Sequence, residues 1–252
     1  MKIWALSDLH LPSSRDVRQD VFGGRWGEHD RQMAEAWDDL VHEKDVVLSP
    51  GDFSWAMRAA EVEPDLQWLD ARPGRKVMVK GNHDFWWPKT HAAMRRLMPP
   101  RVHPLKKTAV LLADADGSHT LGLFGCRGGD FRAEPQYGDE RTPEQIEAAL
   151  GREERELRLS LDHLGRLEAD AGRPADLRIC LFHYPPIPKG EQASRFSPLI
   201  TASGAEHCVY GHLHGQGGAG ARVEGDIDGV RYRCASCDLI DFRPVLIAEL
   251  GG

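Results

Sequence analysis

Ile3-Trp4-Ala5-Leu6-Ser7-Asp8-Leu9-His10 is a short apolar run that stops at a carboxylate and an imidazole. The same shape recurs along the chain. Residues 46–48 run into Gly51-Asp52, residues 77–79 into Gly81-Asn82-His83-Asp84, residues 179–182 into His183, and residues 208–210 into Gly211-His212-Leu213-His214. Apolar runs this short and rich in Val and Ile read as buried strands. Polar residues just past such strands sit where α/β sheets place their active sites. The five polar clusters are therefore expected to converge.

Between these runs the period changes to helical. Met33, Trp37, Leu40 and Val41 share one face, and residues 143–171 keep Ile146, Leu150, Leu157, Leu161 and Leu164 in register. Thr142, Pro143 and Gln145 form the start signal of that long helix, and Gly172 with Pro174 its stop. Residues 109–112, 121–124, 223–227, 230–235 and 245–250 read as further strands, with Asp228-Gly229 as a hairpin turn. The pattern predicts an α/β fold in a single domain over residues 1–252, a length one core can serve.

Asp8 and His10 are two residues apart, so in extended backbone both side chains point to one side and can grip one ion. His212 and His214 repeat the spacing. With Asp52, Asn82 and His183 they make seven nitrogen and oxygen donors and no thiolate, a set suited to Mn, Fe, Zn, Co or Ni. Seven ligands fill two four-ligand sites only if one bridges, and Asp52, with two carboxylate oxygens, is the candidate.

In this order D-x-H, G-D, G-N-H-D, an isolated His and G-H-x-H resemble the calcineurin-like metallophosphoesterases, over Asp8 to His214. The resemblance implies a four-layer fold, a β-sandwich of two mixed sheets flanked by helices. It also implies two divalent metal ions, with manganese favoured in vitro: Asp8, His10, Asp52 and His214 on the first, Asp52, Asn82, His183 and His212 on the second. The expected activity is hydrolysis of a phosphate mono- or diester by a metal-bridging hydroxide attacking phosphorus in line. His83 is then the expected general acid, with Asp84 orienting its ring. Many members of the family follow G-D with another acidic residue, whereas Phe53-Ser54-Trp55 follows here. The protein phosphatases of the family carry an arginine after G-N-H, and Phe85 and Trp86 stand in that region instead.

Composition narrows the partners. A net charge of -7, with Lys and Arg scattered among acids, lacks the basic stripe of a nucleic-acid binder. That disfavours a nuclease or cyclic-nucleotide phosphodiesterase on the same site without excluding it; the expected substrate is a phosphorylated small molecule or another phosphoester. A non-catalytic scaffold would be expected to lose the acid His83 or several ligands, and all are present. No apolar run approaches the roughly 18 residues of a membrane span, and the N-terminus lacks the long apolar region of a secretory signal, so a cytoplasmic location is expected. Five widely spaced cysteines, Cys234 and Cys237 among them, read as buried reduced thiols. Arg127, in the Gly-rich Cys126-Arg127-Gly128-Gly129, is either a phosphate clamp or a salt-bridge partner. Trp26, Trp55, Trp86 and Trp87 either pack beneath the site or wall a substrate pocket.

Overall fold

The apolar runs become strands within one or two residues of their sequence limits. In the computed structural model, which describes residues 1–12, 26–131 and 141–251, the chain runs β1 (Lys2–Ala5), α1 (His29–Leu40), β2 (Val46–Ser49), α2 (Glu63–Asp70), β3 (Arg75–Met78), α3 (His91–Leu97), β4 (Val102–Pro104), β5 (Val110–Ala113) and β6 (Thr120–Cys126). It continues through α4 (Pro143–Ala171), β7 (Leu177–Phe182), α5 (Ser197–Ala202), β8 (His207–Tyr210), α6 (Gly215–Ala219), β9 (Gly225–Ile227), β10 (Val230–Cys234), a 3-10 turn (Cys237–Ile240) and β11 (Val245–Glu249).

Two mixed sheets result. The first has the order β11-β1-β2-β3-β4, parallel except for antiparallel β11, and the second the order β5-β6-β7-β8-β10-β9, with β5 and β9 antiparallel at its edges. Ile3, Ala5, Val46, Leu48 and Val77 turn inward to meet Leu121, Leu123, Ile179, Leu181 and Val209 across the sandwich. Their alternates Trp4, Leu6, Val47 and Met78 face outward onto Met33 and Trp37 of α1. Burial on both faces explains why the strands read as continuous apolar runs rather than as alternation.

On the other flank, Ile146, Leu150, Leu157 and Leu164 of α4 cover Phe124, Cys180 and Phe182. The capping box at Thr142 and Gln145 is formed, and Gly172 ends the helix at φ 72°. The layers are helix, sheet, sheet, helix, as the resemblance implied. Short β4, α2, α3, α5 and α6 had no periodic signal long enough to reveal them. Asp228 and Gly229 both take positive φ, 50° and 80°, in the tight turn between β9 and β10. The ends of β1, β2 and β3 face those of β7 and β8, and all seven expected ligands follow these five strands.

Candidate metal centre

The Asp8-Leu9-His10 segment is not extended, which corrects the sequence expectation. Asp8 and His10 have φ of 57° and 45°, and Asp52 and His212 are also left-handed at 51° and 71°. Such backbone costs a non-glycine residue roughly 1–2 kcal/mol, so neighbouring structure must impose it. Here a run of backbone bonds does so: Asp8 N donates to Gly51 O, His10 N to Asp52 O and Leu11 N to Phe53 O, each at 3.0 Å. Ser7 N and Cys237 N add bonds that join the end of β1 to the end of β10. Asp8 and His10 share a site because of this turn, with Leu9 buried between them.

The glycines leave the space. A Cβ on Gly51 (φ 99°) would lie 2.7 Å from Gly81 N and 2.9 Å from His183 Nδ1, and one on Gly81 would fall on the Asp52 carboxylate. Only backbone without a side chain allows these two loops to approach so closely.

Two groups of donors come together, Asp8 with His10 and His214, and Asp52 with His183 and His212, the ligand atoms of each lying within 4.8 Å of one another. His10 Nε2 and His214 Nε2 are 3.3 Å apart. Asn82 Oδ1 lies 2.6 Å from His183 Nε2 and 2.9 Å from His212 Nδ1. Asp52 Oδ2, a member of the second group, also approaches the first, 3.5 Å from His183 Nε2 and 3.8 Å from His10 Nε2.

The second ring nitrogens of His183 and His214 are fixed from behind. His183 Nδ1 meets Pro50 O at 2.9 Å, which turns its Nε2 toward the group. His214 Nδ1 meets Asp238 Oδ1 at 2.8 Å, and Gly215 N donates to the other Asp238 oxygen. Asp238 lies in the 3-10 turn after β10, 24 residues beyond His214 in the chain, and nothing in its local sequence marks it.

The electrostatics suit cations. Burial, then Asp8 and Asp84 beside it, pushes the Asp52 carboxyl well above its ordinary range. Burial would raise Asp8 too, but the hydrogen bond and charge of His214, with His183 and His10, hold it low. Burial presses His183 down to about 3, leaving a neutral ring. Against burial, the hydrogen bonds of Asp238 and Asp8 raise His214 to about 10. Buried carboxylates this close together require positive charge among them, and the neutral rings of His10 and His183 beside them offer lone pairs. The donor set fits divalent metal ions.

His83 stands at the rim, half-buried, its ring 4.7 Å from Trp55 and 5.6 Å from His10, while its backbone N donates to Asp52 Oδ1 at 2.8 Å. Trp55 also stacks on His10 at 4.7 Å. Asp84 departs from its expected part. Its carboxylate accepts from the backbone N–H groups of Asp52, Phe53, Ser54 and Gly81 and from Trp86 Nε1, at 2.7–3.3 Å, and among the described hydrogen bonds none comes from the His83 ring. It fastens the Asp52 loop to the Gly81 loop because both present unpaired N–H groups to the same buried point.

Arg127 forms the salt bridge, Nη2 to Glu153 Oε1 at 2.9 Å, and its carbonyl accepts from His183 N and Tyr184 N. Trp26, Trp86 and Trp87 are buried core residues. His29 is buried as well, its two nitrogens 3.1 and 3.0 Å from the carbonyls of Trp26 and Leu9. All five cysteines are free and buried, with the Cys234 thiol pushed up to about 12 by burial. A cavity of about 410 Å3 adjoins His212, walled by Phe131, Tyr184, Pro185 and Leu213 with Lys189 among them.

A sequence profile described as calcineurin-like phosphoesterase matches residues 1–216. The chain belongs to that family. The Gene 66 protein of Mycobacterium phage D29 is 39% identical over 82 residues, 32% of this chain and 40% of its own length. The Gene 66 protein of phage L5 is 37% identical over 81 residues, 32% and 39% of the two chains. The chain thus spans about two-fifths of the length of these phage relatives. Among solved structures, the phosphopantetheinyl hydrolase PptH of Mycobacterium tuberculosis matches at TM-score 0.51 and 18% identity, over 100% of this chain and 98% of that one, a likeness of fold. No helix among the described residues is long and apolar enough to cross a membrane.

Proposed function

We propose that the protein is a dinuclear metallophosphoesterase that hydrolyses a phosphate mono- or diester of a small molecule, with manganese as the ion for assay. The observation that carries this reading is the Asp52 carboxylate, a member of one Asp/His group that also lies 3.8 Å from His10 of the other. Asp8, His10, Asp52 and His214 would hold one ion; Asp52, Asn82, His183 and His212 the other. When bound, the pair supplies an acidified water and neutralises charge on the phosphoryl oxygens.

The chain's own residues do the rest. The new bond joins the water oxygen to phosphorus, and the bond from phosphorus to the leaving oxygen breaks. His83, at the rim, gives that oxygen its proton. Trp55 and His10 pack the His83 ring into position, the part first expected of Asp84. The cavity beside His212 would receive the leaving group, its apolar walls favouring a partly apolar molecule. We place the protein in the cytoplasm, where its free thiols stay reduced.

Hydrolysis of para-nitrophenyl phosphate and bis-para-nitrophenyl phosphate by metal-stripped protein, resupplied with Mn, Zn, Fe or Mg, tests the reading. Turnover should return with metal, and Asp52→Asn should lose it. Two bound ions without turnover of either ester would overturn it.

A further inference from the structure

A second, polar cavity of about 200 Å3 lies where the chain leaves β3 and β6. Lys80, Lys106, Lys107 and Arg127 line it, with Glu153 and Glu156 of α4. Arg127 pairs with Glu153 at 2.9 Å and Lys107 with Glu156 at 3.5 Å. Among the described ion pairs none involves Lys80 or Lys106, so four cations meet two carboxylates and about two positive charges are left over. Arg127 Nε is buried with no hydrogen-bond partner among the described residues, as is Glu153 Oε2. A guanidinium donor without an acceptor is unfavourable in such a place. Burial, with repulsion from Lys80 and Lys107 against the pull of Glu156, holds the Lys106 ammonium below the usual lysine range.

We propose that this cavity binds a phosphoryl group other than the one cleaved. A phosphate dianion would match the uncompensated charge and accept from Lys80, Lys106 and the Arg127 fork. The cavity is wired to the metal centre by the chain itself. Lys80 precedes Gly81-Asn82, and the Arg127 carbonyl accepts from His183 N at 3.1 Å. The phosphoryl group comes either from free inorganic phosphate or from a second phosphate on the substrate.

Calorimetric titration of the metal-stripped full chain with inorganic phosphate tests the site apart from the metals. One saturable site is expected, weakened about tenfold or more in Lys80→Met/Lys106→Met and unchanged in Asp52→Asn. Lys106→Met alone, away from the ligand loops, should give a partial loss, which separates the effect from misfolding. No saturable binding by the wild-type chain, or binding that the double substitution leaves intact, would overturn the proposal. The source is read with metal restored, a step that rests on the hydrolase reading. A KM that rises in the double variant for a bisphosphorylated ester and not for a monophosphate assigns the site to substrate. Equal KM values, with modulation by free phosphate lost in the variant, assign it to the free anion. If neither ester turns over, the hydrolase reading fails while the titration still decides the cavity.

Discussion

Asp84 and Asp238 show how much of the centre depends on side chains that would touch neither metal nor substrate. Asp84 collects five donors in a fully buried position. Asp84→Asn turns one acceptor into a donor facing other donors, and a loss of about 3 kcal/mol in denaturant unfolding is expected. Asp238 fixes the His214 ring from behind, so Asp238→Ala should weaken metal binding by about 10–100-fold in competition with a chelator while leaving the fold intact. An unchanged affinity would remove Asp238 from the site's support. His83→Ala separates chemistry from binding. Activity on alkyl phosphates, whose leaving oxygen needs a proton, should fall much further than activity on aryl phosphates, and an equal loss on both would contradict the acid role.

Among the elements, β3 carries an unusual burden. Lys76 is fully buried within it, its ammonium donates to the Arg72 carbonyl, and burial lowers its pKa to about 8. The unfolded chain therefore holds this proton more tightly than the folded one between pH 8 and the ordinary lysine value. Stability from this group rises with pH across that window and is lost as pH falls through about 8. The wild-type chain should gain on the order of 2 kcal/mol over Lys76→Met between pH 8 and about 10.5, read from urea unfolding of both at each pH. β1 and α4 were legible in the sequence because an apolar run ending in Asp8 and a capped amphipathic repeat each carry their own signal. The left-handed turns at Asp8 and His10 were not, since they are imposed by bonds to the Asp52 loop, more than 40 residues away. The Asp84 carboxylate looked like a partner for its neighbour His83 for the same reason. Its actual donors come mostly from residues 52–54, which only the pairing of β2 with β3 brings near.

At the scale of the molecule, the sandwich itself assembles the site. Asp8, His10, Asp52 and Asn82 follow strands of one sheet, and His183, His212 and His214 follow strands of the other. Neither sheet alone carries a complete donor group, since Asp8 and His10 meet His214, and Asp52 meets His183 and His212, across the sandwich. Packing of Ile3, Leu48 and Val77 against Leu123, Ile179 and Val209 thus sets the distance between the half-sites. Metal binding should in turn hold the two sheets together and raise the unfolding temperature. The central claim is that Asp52 joins two ions into one centre. Its most direct measure is the electron paramagnetic resonance of the manganese-loaded protein, taken with metal content per chain. Two manganese ions per chain with the spectrum of an exchange-coupled pair, reduced to isolated manganese in Asp52→Asn, is the expected result. A single ion, or two uncoupled ions unaffected by Asp52→Asn, would contradict the account.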